Sequence, residues 1–253
     1  MTSRRTVLKT AAALPLATVL ASPMLTRAAA QSTQMTSLTL DNGKRVHGAL
    51  ALPSGAARGS ILLVHEWWGL NAQIKSVAAD FAQQGYVALA ADLYDRKVAD
   101  TPEQARAYMQ SVDSDLATQT VAARVEWLRK HDASNGKIAT IGWCFGGGWS
   151  LNASIAAPVD ATVIYYGNVK KTAQQLKSLR GPVLGHFATE DKWINRGMVS
   201  AFEQAMAAAG KQYTNHWYEA QHAFGNPSSA RYDEANAALA WKRTVEFLAN
   251  AMG

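Results

Sequence analysis

From residue 36 onward the chain alternates short, wholly apolar runs with longer stretches in which apolar residues recur at helical spacing. Residues 36–40 and 46–52, joined by Asp41-Asn42-Gly43, predict a β-hairpin closed by a type I′ turn. Runs at 60–64, 87–91, 138–141, 161–165 and 182–187 lack polar alternation, which predicts strands covered on both faces in a parallel sheet. Between them, 74–84 ends at Gly85, and 114–131 carries Leu116, Val121, Val125 and Leu128 on one stripe; both predict crossover helices. Further on come a small-residue helix over 147–156, a helix over 198–209 ending at Gly210, and a strand over 213–218. A last helix over 229–252 is predicted to turn Leu239, Val245 and Leu248 inward. The alternation predicts an α/β fold, a mostly parallel doubly wound sheet flanked by helices with an N-terminal hairpin. Ligands in such folds bind beyond the carboxyl ends of the strands, so the loops there hold the candidate chemistry.

The N-terminus follows another pattern. Arg4-Arg5 precede a moderately apolar stretch and the small-residue end Ala28-Ala29-Ala30, the parts of a twin-arginine export signal with expected cleavage after Ala30. Its loss removes Arg4, Arg5, Lys9 and Arg27 and no acid, so the formal charge falls from +6 to +2. The basic balance is then a property of the targeting segment and gives no support for a nucleic-acid or membrane-surface partner. The expectation is a single domain over residues 31–253, exported to the periplasm, monomeric and without stable membrane insertion. With only one cysteine, no intramolecular disulfide can form.

That cysteine, Cys144, lies in Gly142-Trp143-Cys144-Phe145-Gly146, after a strand and before a helix. Glycines two residues to either side give room for a strained central residue, so the segment reads as a nucleophile elbow. The Phe145 N–H and the start of the next helix would favour a thiolate and hold a developing oxyanion. Other strand-end loops supply His65-Glu66-Trp67-Trp68-Gly69, Asp92-Leu93-Tyr94-Asp95-Arg96, Glu190-Asp191 and His222-Ala223-Phe224. Nucleophile, acid and base thus run Cys144, Asp191, His222, the order of the α/β-hydrolases. His222 is the candidate base, since His186 and His216 fall inside strands, and Asp191 is preferred to Glu190 as its partner. A carboxyl beside Trp67 and Trp68 should have a raised pKa, which suits Glu66 to exchanging a proton with a thiol.

At these residues the chain resembles the dienelactone hydrolase family (carboxymethylenebutenolidase-like), and the likeness covers most of the sequence after residue 31. The resemblance implies hydrolysis of small lactones or esters through an acyl-enzyme thioester, without metal or organic cofactor. It implies that Glu66 controls the proton of Cys144, and that the N–H groups of Trp67 and Phe145 form the oxyanion hole. It also implies a substrate contact at Arg96, on the loop that carries Tyr94; Trp68, with Trp67, either walls a pocket for a flat or apolar acyl group or packs against the helix from Ile74. The family's second carboxylate-binding arginine has no counterpart at 224–227, so the expected substrate is a small ester or lactone, possible anionic character resting on Arg96 alone. An acyl thioesterase with the same triad and a non-catalytic binding protein of the same fold are the alternatives. No second histidine at helical spacing accompanies His65, and no phosphate-binding glycine loop is present, which argues against metal and nucleotide enzymes.

Overall fold

A computed structural model describes residues 22–253; the Arg4-Arg5 pair lies outside the described residues. Eight strands form one sheet in the order β1-β2-β4-β3-β5-β6-β7-β8. β1 (Gln34–Thr39) and β2 (Arg45–Ala51) make the expected hairpin, and β2 joins β4 (Tyr86–Ala91) antiparallel. From there the sheet is parallel: β3 (Gly59–Val64) lies between β4 and β5 (Ile138–Trp143), followed by β6 (Ala161–Tyr165), β7 (Val183–Ala188) and β8 (Tyr213–Tyr218). Every residue of β3 to β7 is buried, as the unbroken apolar runs require.

Alternate residues of each strand feed opposite cores, because successive side chains leave a strand on opposite faces. Ile61, Leu63, Ile141 and Val163 pack with Ile74, Val77 and Phe81 of α2 (Ala72–Gln83) and with Leu248 and Met252 of α8 (Glu234–Met252). Leu62, Val64, Val87 and Leu89 meet Val121, Val125 and Leu128 of α4 (Ser114–Lys130) and Trp149 and Ala153 of α5 (Phe145–Ala156). A third cluster joins Ile164, Val183 and Phe187 to Leu176 of α6 (Ala173–Leu176) and to Val199, Phe202 and Met206 of α7 (Arg196–Ala208). The doubly wound arrangement is thus present.

Several details differ from the sequence reading, among them that Leu116 is only half-buried while Ala117 and Thr120 join the buried stripe of α4, and that the four-residue α6 was not foreseen. The hairpin is closed by a three-residue loop in which Gly43 alone has positive φ (80°), with its N–H bonded to Leu40 O; a type I′ turn would need Asn42 at positive φ as well. The last helix starts at Glu234, because Asp233 caps it by accepting the Asn236 N–H. Its buried stripe is Ala240, Thr244, Leu248 and Met252, which leaves Leu239 exposed and Val245 half-buried instead of inward. Helix α3 (Pro102–Gln110) was not foreseen: it buries only Ala105, so it has no apolar stripe, although Thr101 capping the Gln104 N–H and Pro102 in the first turn mark its start.

α1 (Pro23–Gln31) lies against α2, and the expected cleavage point after Ala30 falls in its last turn. Among the described residues, no helix is long and apolar enough to cross a membrane.

Candidate active site

Cys144 stands between β5 and α5 at φ 55° and ψ −118°, at the N-cap position of the helix. Such a positive φ strains a non-glycine residue and is held only where the surroundings over-determine it. Here the Cys144 N–H is bound to Tyr165 O at 3.0 Å, and the following turn closes back from the Gly147 N–H to Cys144 O at 3.0 Å. A Cβ at Gly142 would collide with the carbonyl of Gly146, and one at Gly146 with the carbonyl of Val64. Both flanking glycines are therefore required sterically, as the elbow motif predicts.

His222 follows β8, on a loop where Ala223 takes φ 67°. Its Nδ1–H donates to Asp191 Oδ2 at 2.6 Å. The other carboxylate oxygen, Oδ1, accepts the N–H groups of Trp193 (2.8 Å) and Ile194 (3.0 Å), so the Asp191 carboxylate is held from both sides. Burial alone would pull the imidazole down; the hydrogen bond to Asp191, then the hydrogen bond and charge of Cys144, outweigh it and push His222 up to about 10. Burial opposes the charge on Asp191 too, but its bonds to His222, Ile194 and Trp193 hold the carboxyl below the usual range. Cys144, Asp191 and His222, distant in sequence, are thus brought together.

Glu66 is buried beneath this group. Tyr166 Oη donates to its Oε1 at 3.3 Å, and Asn226 Nδ2 to its Oε2 at 2.6 Å. Burial pushes the carboxyl up, and the bonds from Asn226 and Tyr166 and the charge of His222 offset that only in part. Glu66 pairs with no arginine here; its protein partners are neutral. Neither Tyr166 nor Asn226 was singled out from sequence. Asn226 lies four residues past His222 on the same loop, and Tyr166 directly follows the carboxyl end of β6 at φ 36°, so position on the strand-end loops was the available signal.

His65 proves structural. The Leu93 N–H donates to its Nε2 at 3.1 Å, which places the ring proton on Nδ1, and Nδ1–H donates to the Glu66 carbonyl at 2.6 Å. Burial holds His65 below its usual pKa. The histidine ties the loop after β3 to the loop after β4. In the latter, Asp92 accepts the N–H groups of Tyr94 (2.9 Å) and Arg96 (2.5 Å). Tyr94 packs its ring 5.6 Å from that of Phe145, and its buried hydroxyl, close enough to feel the charge of Cys144, has no hydrogen-bond partner. Trp67 and Trp68 stack edge-on at 5.1 Å. Neither Trp67 nor Phe145 has an acceptor for its N–H among the described residues. Arg96 is exposed, at φ 69°, and its guanidinium makes no ion pair among the described residues. His186 is a buried core residue, bonded to Tyr218 and Thr244. No group of three His, Cys, Asp or Glu side chains able to hold a metal ion is gathered among the described residues.

Comparison with known proteins places the chain in a wider group. The model of the dienelactone hydrolase family matches residues 46–252. A carboxymethylenebutenolidase of Pseudomonas putida is 29% identical over 208 residues, 78% of this chain and 88% of that protein. Protein usf of Aquifex pyrophilus is 31% identical over 217 residues, 81% of this chain and 94% of that protein. A crystal structure of a dienelactone hydrolase, assigned as such by likeness, from Klebsiella pneumoniae superposes with a TM-score of 0.74 at 24% identity, covering 86% of this chain and 98% of that one, a likeness of fold.

Proposed function

The chain belongs to the dienelactone hydrolase family, and on that premise we propose that it hydrolyses small esters or lactones with Cys144 as nucleophile through an acyl-thioester intermediate. The observation that carries the mechanism is the imidazole of His222, bound to Asp191 at 2.6 Å and near enough to the strained elbow cysteine for Cys144 to help raise its pKa. His222 takes the thiol proton, which leaves the sulfur in its nucleophilic form as it attacks. The sulfur attacks the carbonyl carbon, and the oxyanion is received by the free N–H groups of Trp67 and Phe145. The carbon–oxygen bond to the leaving group breaks as His222 gives that oxygen its proton. Water then adds to the thioester with His222 taking its proton; the carbon–sulfur bond breaks, releasing the acid. Glu66, neutral when its raised pKa is not exceeded, stores a proton near the thiol between turnovers.

Tyr94, whose buried hydroxyl is without a partner among the described residues and close enough to feel the charge of Cys144, and Trp68 are the proposed substrate contacts. Arg96, two residues beyond Tyr94, adds an unpaired cation on the same loop. The test is hydrolysis by the purified protein and by Cys144→Ala of an activated acetate ester, a dienelactone and an acyl thioester. A loss of about 10³-fold or more in the variant supports the nucleophile, and the preferred substrate sorts lactonase, esterase and thioesterase. Equal activity of the two proteins sinks the mechanism.

Export is a second part of the reading. Arg4-Arg5 and the Ala28-Ala29-Ala30 end support a twin-arginine signal and a periplasmic site of action for residues 31–253. Replacing both arginines by lysine should leave an uncleaved precursor inside the cell; a mature, exported product from that variant would dismiss the signal.

A further inference from the structure

Asn226 meets the buried Glu66 carboxyl in a fixed orientation. Its amide oxygen accepts the Ser228 N–H at 2.8 Å, so its NH₂ is the group that faces Glu66, 2.6 Å from Oε2. An NH₂ only donates, which makes Oε2 an acceptor whether or not the carboxyl is ionised. The proton of a neutral Glu66 therefore rests on the other oxygen, Oε1, and the group bonded to Oε1 is the hydroxyl of Tyr166, at 3.3 Å. Tyr166 is itself fixed. It is fully buried, its backbone N–H is bound to His186 O at 2.8 Å, and its ring lies 5.1 Å from that of His222. It directly follows Tyr165, whose carbonyl holds the Cys144 N–H, and its φ of 36° is a strained value for a non-glycine residue, kept by these contacts. Burial first, then the charges of Glu66 and Cys144, hold its hydroxyl protonated well above the usual range. The hydroxyl thus has one hydrogen to give and lies within electrostatic reach of both groups.

One hydrogen cannot serve both. When Glu66 is ionised, Oε1 accepts from Tyr166 and the hydrogen is held at the carboxylate. When Glu66 is neutral, its own O–H donates to Tyr166 Oη, and the tyrosine hydrogen is released for the sulfur. We propose that Asn226 and Tyr166 are positioning residues that convert the Glu66 proton into a directed hydrogen bond: Asn226 confines the proton to Oε1, and Tyr166 then turns its own hydrogen to the Cys144 sulfur. Both protons stay on their own oxygens, and only the direction of the tyrosine hydrogen changes. A donor at the sulfur favours each step in which the sulfur carries negative charge, its attack on the carbonyl and its release from the thioester. That service rests on the hydrolase reading above; the placing of the proton does not.

The test makes one deletion, Tyr166→Phe, in three backgrounds. It removes the hydroxyl and keeps the ring against His222. Asn226→Asp keeps an acceptor for the Ser228 N–H but has no N–H to give, so the hydrogen shared by the two carboxyls lies at Oε2 and Oε1 is left bare to accept from Tyr166. Glu66→Gln accepts from Asn226 with its oxygen and gives its NH₂ to Tyr166, which imitates the neutral acid permanently. At about pH 6, the rate of Cys144 labelling by iodoacetamide and kcat/KM for an activated acetate ester are measured. Tyr166→Phe should lower both about tenfold in the wild type and in Glu66→Gln, with no further loss in Asn226→Asp. A merely structural loss would be the same in all three backgrounds; that result, or no loss in the wild type, overturns the proposal. Infrared spectroscopy reads the proton directly and depends on no Asn226 variant. The spectrum of wild type minus Glu66→Gln should hold a protonated-carboxyl C=O band, which moves to higher frequency in Tyr166→Phe because the acid O–H has lost its acceptor. A missing or unmoved band overturns the proposal as well. The labelling pattern without hydrolysis of any ester keeps the switch and removes the function proposed above.

Discussion

The side-chain amide of Asn226 donates a 2.6 Å hydrogen bond to the buried carboxyl of Glu66, joining the loop that carries His222 to the loop that follows β3. Asn226 also accepts the Ser228 N–H at 2.8 Å, so one residue shapes its own turn and fixes the Glu66 carboxyl. Because the partner is neutral, nothing on the protein side compensates a Glu66 charge fully, and burial keeps the carboxyl above its usual pKa.

That relationship has a pH signature. A carboxyl whose folded pKa is raised binds more protons in the native state than in the unfolded one, so stability is lost as pH rises from the unfolded value, about 4.5, through the folded one. Glu66→Gln removes this loss while keeping an acceptor for Asn226. The Tm of the variant minus that of wild type should grow more positive from about pH 5 to about pH 8. A difference that stays flat or shrinks would show that Glu66 titrates normally.

His222 gives the opposite slope. Its folded pKa is raised to about 10 from 6.5, so its contribution is fully present below about 6.5 and lost as pH climbs through 10. The stability gap between wild type and His222→Gln should therefore narrow across that range. Labelling by iodoacetamide checks the same pair directly, since Cys144 is the one cysteine in the chain. At neutral pH, His222→Gln should react more slowly, by on the order of tenfold, because no imidazole is left to take the thiol proton.

Asp191→Asn keeps an oxygen for the Trp193 and Ile194 N–H groups but turns an NH₂ toward Nδ1 of His222. The imidazole must then present the wrong tautomer. A loss in kcat of about 10³-fold or more is expected in a protein that melts normally, with KM little changed. A small effect on kcat would remove Asp191 from the triad.

The elbow glycines differ from a surface glycine in kind. Gly142→Ala drives its Cβ into the Gly146 carbonyl, where only backbone could move, whereas at Gly55 an added Cβ meets nothing within 4 Å. Chemical denaturation should show Gly142→Ala destabilised by about 3 kcal/mol or more, and Gly55→Ala by less than about 0.5 kcal/mol.

What the sequence determined by itself were the features written locally. The strands were legible to within two residues because burial on both faces leaves an unbroken apolar run. Cys144 was legible because the elbow needs glycines at fixed offsets, and Asp191 and His222 because they end consecutive parallel strands. Where local pattern and burial part company, the reading failed: α3 buries one alanine and has no stripe, and Leu239 is apolar yet exposed on α8. The tertiary structure alone decided which polar groups meet across the chain. Glu66 finds Asn226 160 residues away and Tyr166 100 residues away, and Arg231 settles over Trp193 beside His222. Hydrophobic periodicity specifies which way an element faces, but a hydrogen bond or a stacked cation depends on where two separate loops end, and that is fixed only once the sheet has brought them to the same edge.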